Sequence, residues 1–147
     1  MLIYMDCCGL NRPNDDQTQD KIRMESDAVI AILSRCLYGS WELAGSDIIE
    51  HEIMKTPDLG KRNRALVLYS ISKKHIAIND FIIERATEAR KYGIKPMDGL
   101  HLASAEYGNA DVLLTVDKEF LIGAKRIGTS LKVANPVNWL MEAFEND

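Results

Sequence analysis

Residues 111–117 read Asp-Val-Leu-Leu-Thr-Val-Asp, a nearly continuous apolar run closed by an acid. A strand wet on one face alternates apolar and polar side chains, so this run belongs to a strand covered on both faces, as in a parallel sheet between helices. Parallel neighbours need crossover connections, which are usually helical. The rest of the chain supplies both kinds of element. Leu2 to Met5 makes a first strand that ends at Asp6, Trp41 to Ala44 and His75 to Ile78 are short strand candidates, and Leu131 to Ala134 is the last. From about Thr18 to Leu37, the residues Ala28, Val29, Ile32, Leu33 and Cys36 recur at helical spacing. Ser46 can cap a helix carrying Ile48, Ile49, Glu52 and Ile53, which Pro57 interrupts and Asp58 restarts. Asn79 or Asp80 caps a helix that stops at Gly93, Pro96 opens another with Asp98 in its first turn and Gly108 as its breaker, and Pro136 starts a final one. The segment Gly9 to Gln17, rich in Asn, Pro and Asp, reads as a loop.

The expected architecture is a three-layer α/β/α fold with a central parallel sheet flanked by helices. At 147 residues, 46% of them hydrophobic, the chain suits one domain spanning 1–147, and neither an internal repeat nor a linker breaks it. No apolar run approaches the ~18 residues that cross a bilayer, and the apolar N-terminus lacks a basic flank and a cleavage site, so a cytoplasmic protein without membrane attachment is expected. Cys7, Cys8 and Cys36 make an odd count with no CxxC spacing, which suits a reducing compartment. The net charge of −4 argues against nucleic-acid binding through the overall field, although Lys61, Arg62 and Arg64 form a local basic cluster able to hold phosphates.

In an open parallel sheet the ligand crevice lies outside the carboxyl ends of the strands, where the strand order reverses. Asp6 and Asp117 are expected there, and Asp98 and Glu52, both placed near helix starts, can reach the same edge. Each acid has an ordinary reading. Asp98 in a first turn favours the helix dipole, Asp117 after a strand can be an N-cap, Asp6 a turn residue and Glu52 one charge on a wet helix face. Together they have another. Clustered carboxylates raise one another's pKa unless hard cations neutralise them, and Mg²⁺ takes oxygen ligands while keeping several waters. Such an ion activates water for in-line displacement at a phosphate, which is phosphodiester hydrolysis.

The segments Lys95-Pro96-Met97-Asp98-Gly99-Leu100-His101-Leu102-Ala103-Ser104-Ala105 and Asp111 through Phe120 closely resemble the second half of PIN domains, among them the VapC-type toxins. Ile3-Tyr4-Met5-Asp6, the helix bearing Glu52 and Asn135-Pro136-Val137 extend the resemblance over nearly the whole chain. It implies a single PIN-like nuclease domain with Asp6, Glu52, Asp98 and Asp117 as the catalytic and metal-binding acids, cofactor Mg²⁺ or Mn²⁺, and endoribonuclease activity on an RNA substrate. A homodimer and a small antitoxin protein are the implied partners. Thr115 is carried over as the hydroxyl behind Asp117, and Glu119 as a candidate ligand of a second ion. For the second acid both Glu50 and Glu52 are available; Glu52 is chosen because it precedes a proline by five residues. The Cys7-Cys8-Gly9 stretch and the loop through Asp16 depart from the commonest toxin pattern, which weakens the toxin assignment more than the nuclease one.

Other features are weighed and set aside. His51-Glu52 begins like a zinc-protease signature, but Lys55 stands where its second histidine belongs. His101, one turn after Asp98, is left outside the catalytic set, and Cys7 and Cys8 are read as packing residues. Arg12 is the candidate substrate contact. The rival functions are a non-catalytic PIN-fold module that binds RNA or protein, and a housekeeping RNA-processing nuclease without an antitoxin.

Overall fold

The computed structural model describes residues 1–145. Strands β1 (Leu2–Met5), β2 (Glu42–Ser46), β3 (Lys74–Ile76), β4 (Val112–Leu114) and β5 (Lys132–Ala134) form one sheet in the order β3-β2-β1-β4-β5. Every pairing is parallel, with Ile3 opposite both Leu43 and Val112, and Leu113 opposite Val133. Helices α1 (Cys7–Asn11), α2 (Asp20–Leu37), α3 (Asp47–Met54), α4 (Leu59–Tyr69), α5 (Asp80–Ala89), α6 (Pro96–Tyr107), α7 (Lys118–Ile127) and α8 (Pro136–Glu145) flank it in the expected three-layer α/β/α arrangement. The continuous apolar runs behave as their composition demands. All residues of β1 and β4 are buried, whereas the edge strands β3 and β5 are partly exposed. None of the described helices is long and apolar enough to cross a membrane.

Several boundaries differ from expectation for identifiable reasons. The strand expected over 111–116 is confined to Val112–Leu114: Thr115 donates its amide to the Ala134 carbonyl at 3.1 Å, and the chain then turns, its hydroxyl accepting from the Asp117 amide at 3.1 Å. The segment expected as a loop after Asp6 contains α1 and a 3-10 turn, Arg12–Asn14. Asp6 caps α1 by accepting from the Gly9 amide at 3.0 Å, and Pro13 sits in the first turn of the 3-10 segment, where its missing amide does no harm. Of the two candidates, Asn79 caps α5, accepting from the Ile82 amide at 2.9 Å. Glu52, expected near a helix start, instead lies in the last turn of α3.

Two polar clasps hold the layers in place. Glu25 of α2 is only 2% exposed, and its carboxylate accepts from Arg12 Nε at 2.9 Å and from Asn135 Nδ2 at 2.6 Å. Arg85 of α5 makes a two-pronged pair with Glu106 of α6, at 2.8 and 3.0 Å. The α5 and α6 backbones also approach closely: a Cβ on Gly99 would lie 3.1 Å from the Ala86 carbonyl oxygen and 3.4 Å from its Cα. Backbone cannot yield there as a flexible side chain would. Gly99→Leu is expected to lower stability by about 1–3 kcal/mol in urea unfolding, the usual cost of overpacking a close contact; unchanged stability would show that the two helices can separate freely.

Candidate metal centre at the carboxyl rim of the sheet

The strand order reverses between β1 and β4, so the crevice of a parallel sheet falls where these two neighbours end. Asp6 follows β1 directly. Asp117 follows β4 by three residues and caps α7, accepting from the amides of Glu119 at 2.9 Å and Phe120 at 3.3 Å through one oxygen, Oδ1. Asp98 comes from the first turn of α6 and Glu52 from the last turn of α3. An open cleft of about 430 Å³ is lined by Cys7, Cys8, Asn11, Arg12, Glu52 and Asp117. Asp98 and the 1%-exposed Asp6 are not among its lining residues.

The four acids feel one another. Burial, then the charges of Asp117 and Asp6, push Asp98 up to about 6, against a smaller opposing effect of His101. Asp6 is raised by burial and by Glu52, while His101, the Thr115 hydroxyl and the Gly9 amide hold it down. Burial alone would raise Glu52, but its hydrogen bond to His101 and the charge of that ring bring it below the usual carboxylate range. Glu50 is placed elsewhere. It is exposed, accepts from the Tyr69 hydroxyl at 2.8 Å and lies 3.2 Å from His75 Nδ1.

A hard divalent ion fits this donor set. Its members are oxygens, and their crowding is severe enough to weaken Asp98 as an acid, the penalty that a cation relieves. Among the described residues no three of the four acids bring ligand oxygens within 4.8 Å of one another. That spacing suits an ion that keeps much of its water and takes few carboxylates directly.

Three residues that the sequence did not place in the site support it. His101, 1% exposed, points Nε2 at Glu52 Oε1 at 2.8 Å and Nδ1 at the Tyr4 hydroxyl at 2.7 Å. Tyr4 is in turn 2.9 Å from Ser46 Oγ, so a buried chain of hydrogen bonds runs from β2 through β1 and α6 to Glu52. Cys7 brings its sulfur within 4.8 Å of Glu52, its thiol donating to the Ile49 carbonyl at 3.6 Å. The available signal was spacing: His101 lies one helical turn from Asp98 and therefore shares its face. Thr115 serves both aspartates, with its oxygen on the Asp117 amide and its hydroxyl lowering Asp6. Arg12 lines the cleft, but its guanidinium is held by Glu25 and by Asp15 at 3.0 Å. Glu119 pairs with Lys95 at 3.3 Å on the exposed rim.

The fold has solved counterparts. VapBC2 from Rickettsia felis, determined with a DNA fragment from its promoter, is similar over 92% of this chain and 98% of that one, with a TM-score of 0.57 and 21% identity. PAE2754 from Pyrobaculum aerophilum is similar over the full length of both chains, with a TM-score of 0.56 and 15% identity. The chain has a VapC-like PIN fold. No family model matches its sequence, and no curated protein does.

Because the folded state raises the pKa of Asp98, the folded protein binds that proton more tightly than the unfolded chain. The resulting stability is present at pH below about 4 and is lost as pH rises through about 6. After a discount for solvent screening of a half-exposed group, the penalty above that window is about 1 kcal/mol. In chelator, Asp98→Asn is therefore expected to be about 1 kcal/mol more stable than the wild type at pH 8, with the gap closing as pH falls toward 4. A pH-independent gap in urea unfolding would mean that neither burial nor the neighbouring acids raise Asp98 as described.

Proposed function

We propose that this chain is a single PIN-like nuclease domain, a Mg²⁺- or Mn²⁺-dependent endoribonuclease, with Asp6, Glu52, Asp98 and Asp117 as its catalytic and metal-binding acids. The observation that carries the reading is the convergence of acids on the switch-point crevice: Asp6 and Asp117 follow the neighbouring strands β1 and β4, and burial, then the charges of Asp117 and Asp6, push Asp98 of α6 up to about 6. The bound ion supplies a more acidic water and stabilises charge on the phosphate. The side chains hold the frame for that chemistry. Asp6 and Asp117 each commit Oδ1 to a helix cap, which fixes the carboxylate plane and leaves Oδ2 outside the cap. Glu52 is anchored through Oε1 by His101 in the same manner.

Cations at the rim favour a phosphate-bearing substrate. Lys95 sits beside Glu119, Arg62 donates to the carbonyl of the cleft-lining Thr56 at 2.8 Å, and Arg64 donates to Asn14 at 2.8 Å. The likeness to VapBC2 supports a partner protein of the antitoxin kind, and the reading adds a homodimer working in the cytoplasm.

Purified wild type is expected to cut RNA in Mg²⁺ or Mn²⁺ and to stop in chelator, and Asp6→Asn or Asp98→Asn should lose at least about 100-fold in rate while remaining folded by circular dichroism. Cleavage by Asp98→Asn at the wild-type rate, with contaminating nucleases excluded, would overturn the proposal. Growth arrest on expression, relieved by co-expressing the product of a small neighbouring reading frame, would establish the partner; arrest without relief would leave a nuclease with no antitoxin.

A further inference from the structure

Cys7, Glu52 and His101 bring a sulfur, a carboxylate oxygen and an imidazole nitrogen within 4.8 Å of one another. This donor set differs in kind from the all-oxygen environment of Asp6, Asp98 and Asp117. Thiolate and imidazole are ligands of choice for Zn²⁺, whereas Mg²⁺ and Mn²⁺ favour oxygen. We propose that these three side chains form a second metal site, selective for Zn²⁺ and similar borderline-soft ions, and that zinc bound there withdraws Glu52 from the hard-cation centre. The site stands on its own geometry; only its inhibitory consequence rests on the function proposed above.

The ring of His101 is held as a metal ligand needs to be. Ligating histidines have the other ring nitrogen fixed by a hydrogen-bond partner, and here Nδ1 lies 2.7 Å from the Tyr4 hydroxyl, which is itself 2.9 Å from Ser46 Oγ. A hydroxyl both donates and accepts. Tyr4 can therefore donate to Nδ1 when Nε2–H donates to Glu52, and accept from Nδ1–H when Nε2 turns its lone pair to a metal.

Cys7 completes the set from the opposite side. Its thiol donates to the Ile49 carbonyl oxygen at 3.6 Å, and the sulfur lies within 4.8 Å of a Glu52 carboxylate oxygen. On binding, the thiol proton passes to solvent and the thiolate takes the metal. Access is open, since both Cys7 and Glu52 line the cleft, and three protein ligands leave the fourth position of a tetrahedral ion to water. Cys8 lines the same cleft but lies outside the three-residue group.

Co²⁺ serves as the probe, because a cysteine thiolate bound to it gives a near-ultraviolet charge-transfer band that oxygen ligands do not. The full-length wild type titrated with Co²⁺ is expected to develop this band with one equivalent and to lose it on adding Zn²⁺. The band should survive in Cys8→Ser and in Asp98→Asn and disappear in Cys7→Ser, whose Zn²⁺ affinity by calorimetry should fall at least about 10-fold. Asp98→Asn should weaken Mn²⁺ binding instead. No band in the wild type, or a band that vanishes with Cys8 and not with Cys7, overturns the zinc site and leaves the nuclease reading intact. A zinc-sensitive band in a protein whose Mn²⁺ binding ignores Asp98 removes the nuclease reading and leaves the zinc site. Wild type and Cys8→Ser decide the matter even where Cys7→Ser fails to fold.

Discussion

Parallel strands β1 and β4 lie side by side and end at the same rim, and the placement of the acids follows from that pairing. Each strand hands the chain to an aspartate that caps the next helix, Asp6 for α1 and Asp117 for α7. A capping carboxylate uses one oxygen to satisfy helix amides, so its plane is fixed by backbone and its second oxygen is oriented without help from a flexible side chain. For Asp117, the ordinary reading as a cap and the reading as a cleft acid are therefore not rivals, and Asp6, read from sequence as a turn residue, proves to be a cap as well. The cap is what makes the acid rigid.

The two remaining acids come from helices, and they are treated differently. Asp98 is left in the field of its neighbours and becomes a weaker acid, whereas Glu52 is drawn toward His101 and becomes a stronger one. Neighbouring carboxyls with opposite shifts give the rim an internal division: one group carries the strain of the crowded charge and another is secured against it. Ser46, Tyr4 and His101, all buried, secure it from within the core, so the acidic rim and the hydrophobic interior share a hydrogen-bonded boundary.

Much of this was legible in the chain because burial on both faces leaves an unambiguous pattern. The runs of β1 and β4, the caps Ser46 and Asp58 and the Gly93 stop carry their physical causes in their own residue types. Short elements were harder. The helix after Asp6 has five residues, too few for a periodic signal, and its formation depends on one side-chain cap within a stretch of Asn, Pro and Asp. The link between His101 and Glu52 joins residues 49 positions apart and depends on how α3 meets α6, which no local spacing encodes. Arg12 looked like a free cation near an acid; only the fold shows that Glu25, thirteen residues on, holds it.

That last pairing ties distant ends of the molecule together. Glu25 gives one oxygen to Arg12 on the wall of the cleft and the other to Asn135, whose own carbonyl oxygen accepts the Val137 amide at the start of α8. One sealed carboxylate thus sits between the C-terminal helix and the rim. Displacing α8 far enough to take Asn135 away would leave Arg12 as the sole counterweight to an anion shut off from water, drawing that guanidinium inward and stiffening one bank of the channel. A mechanical load on α8 would be felt at the wall of the cleft that Arg12 lines.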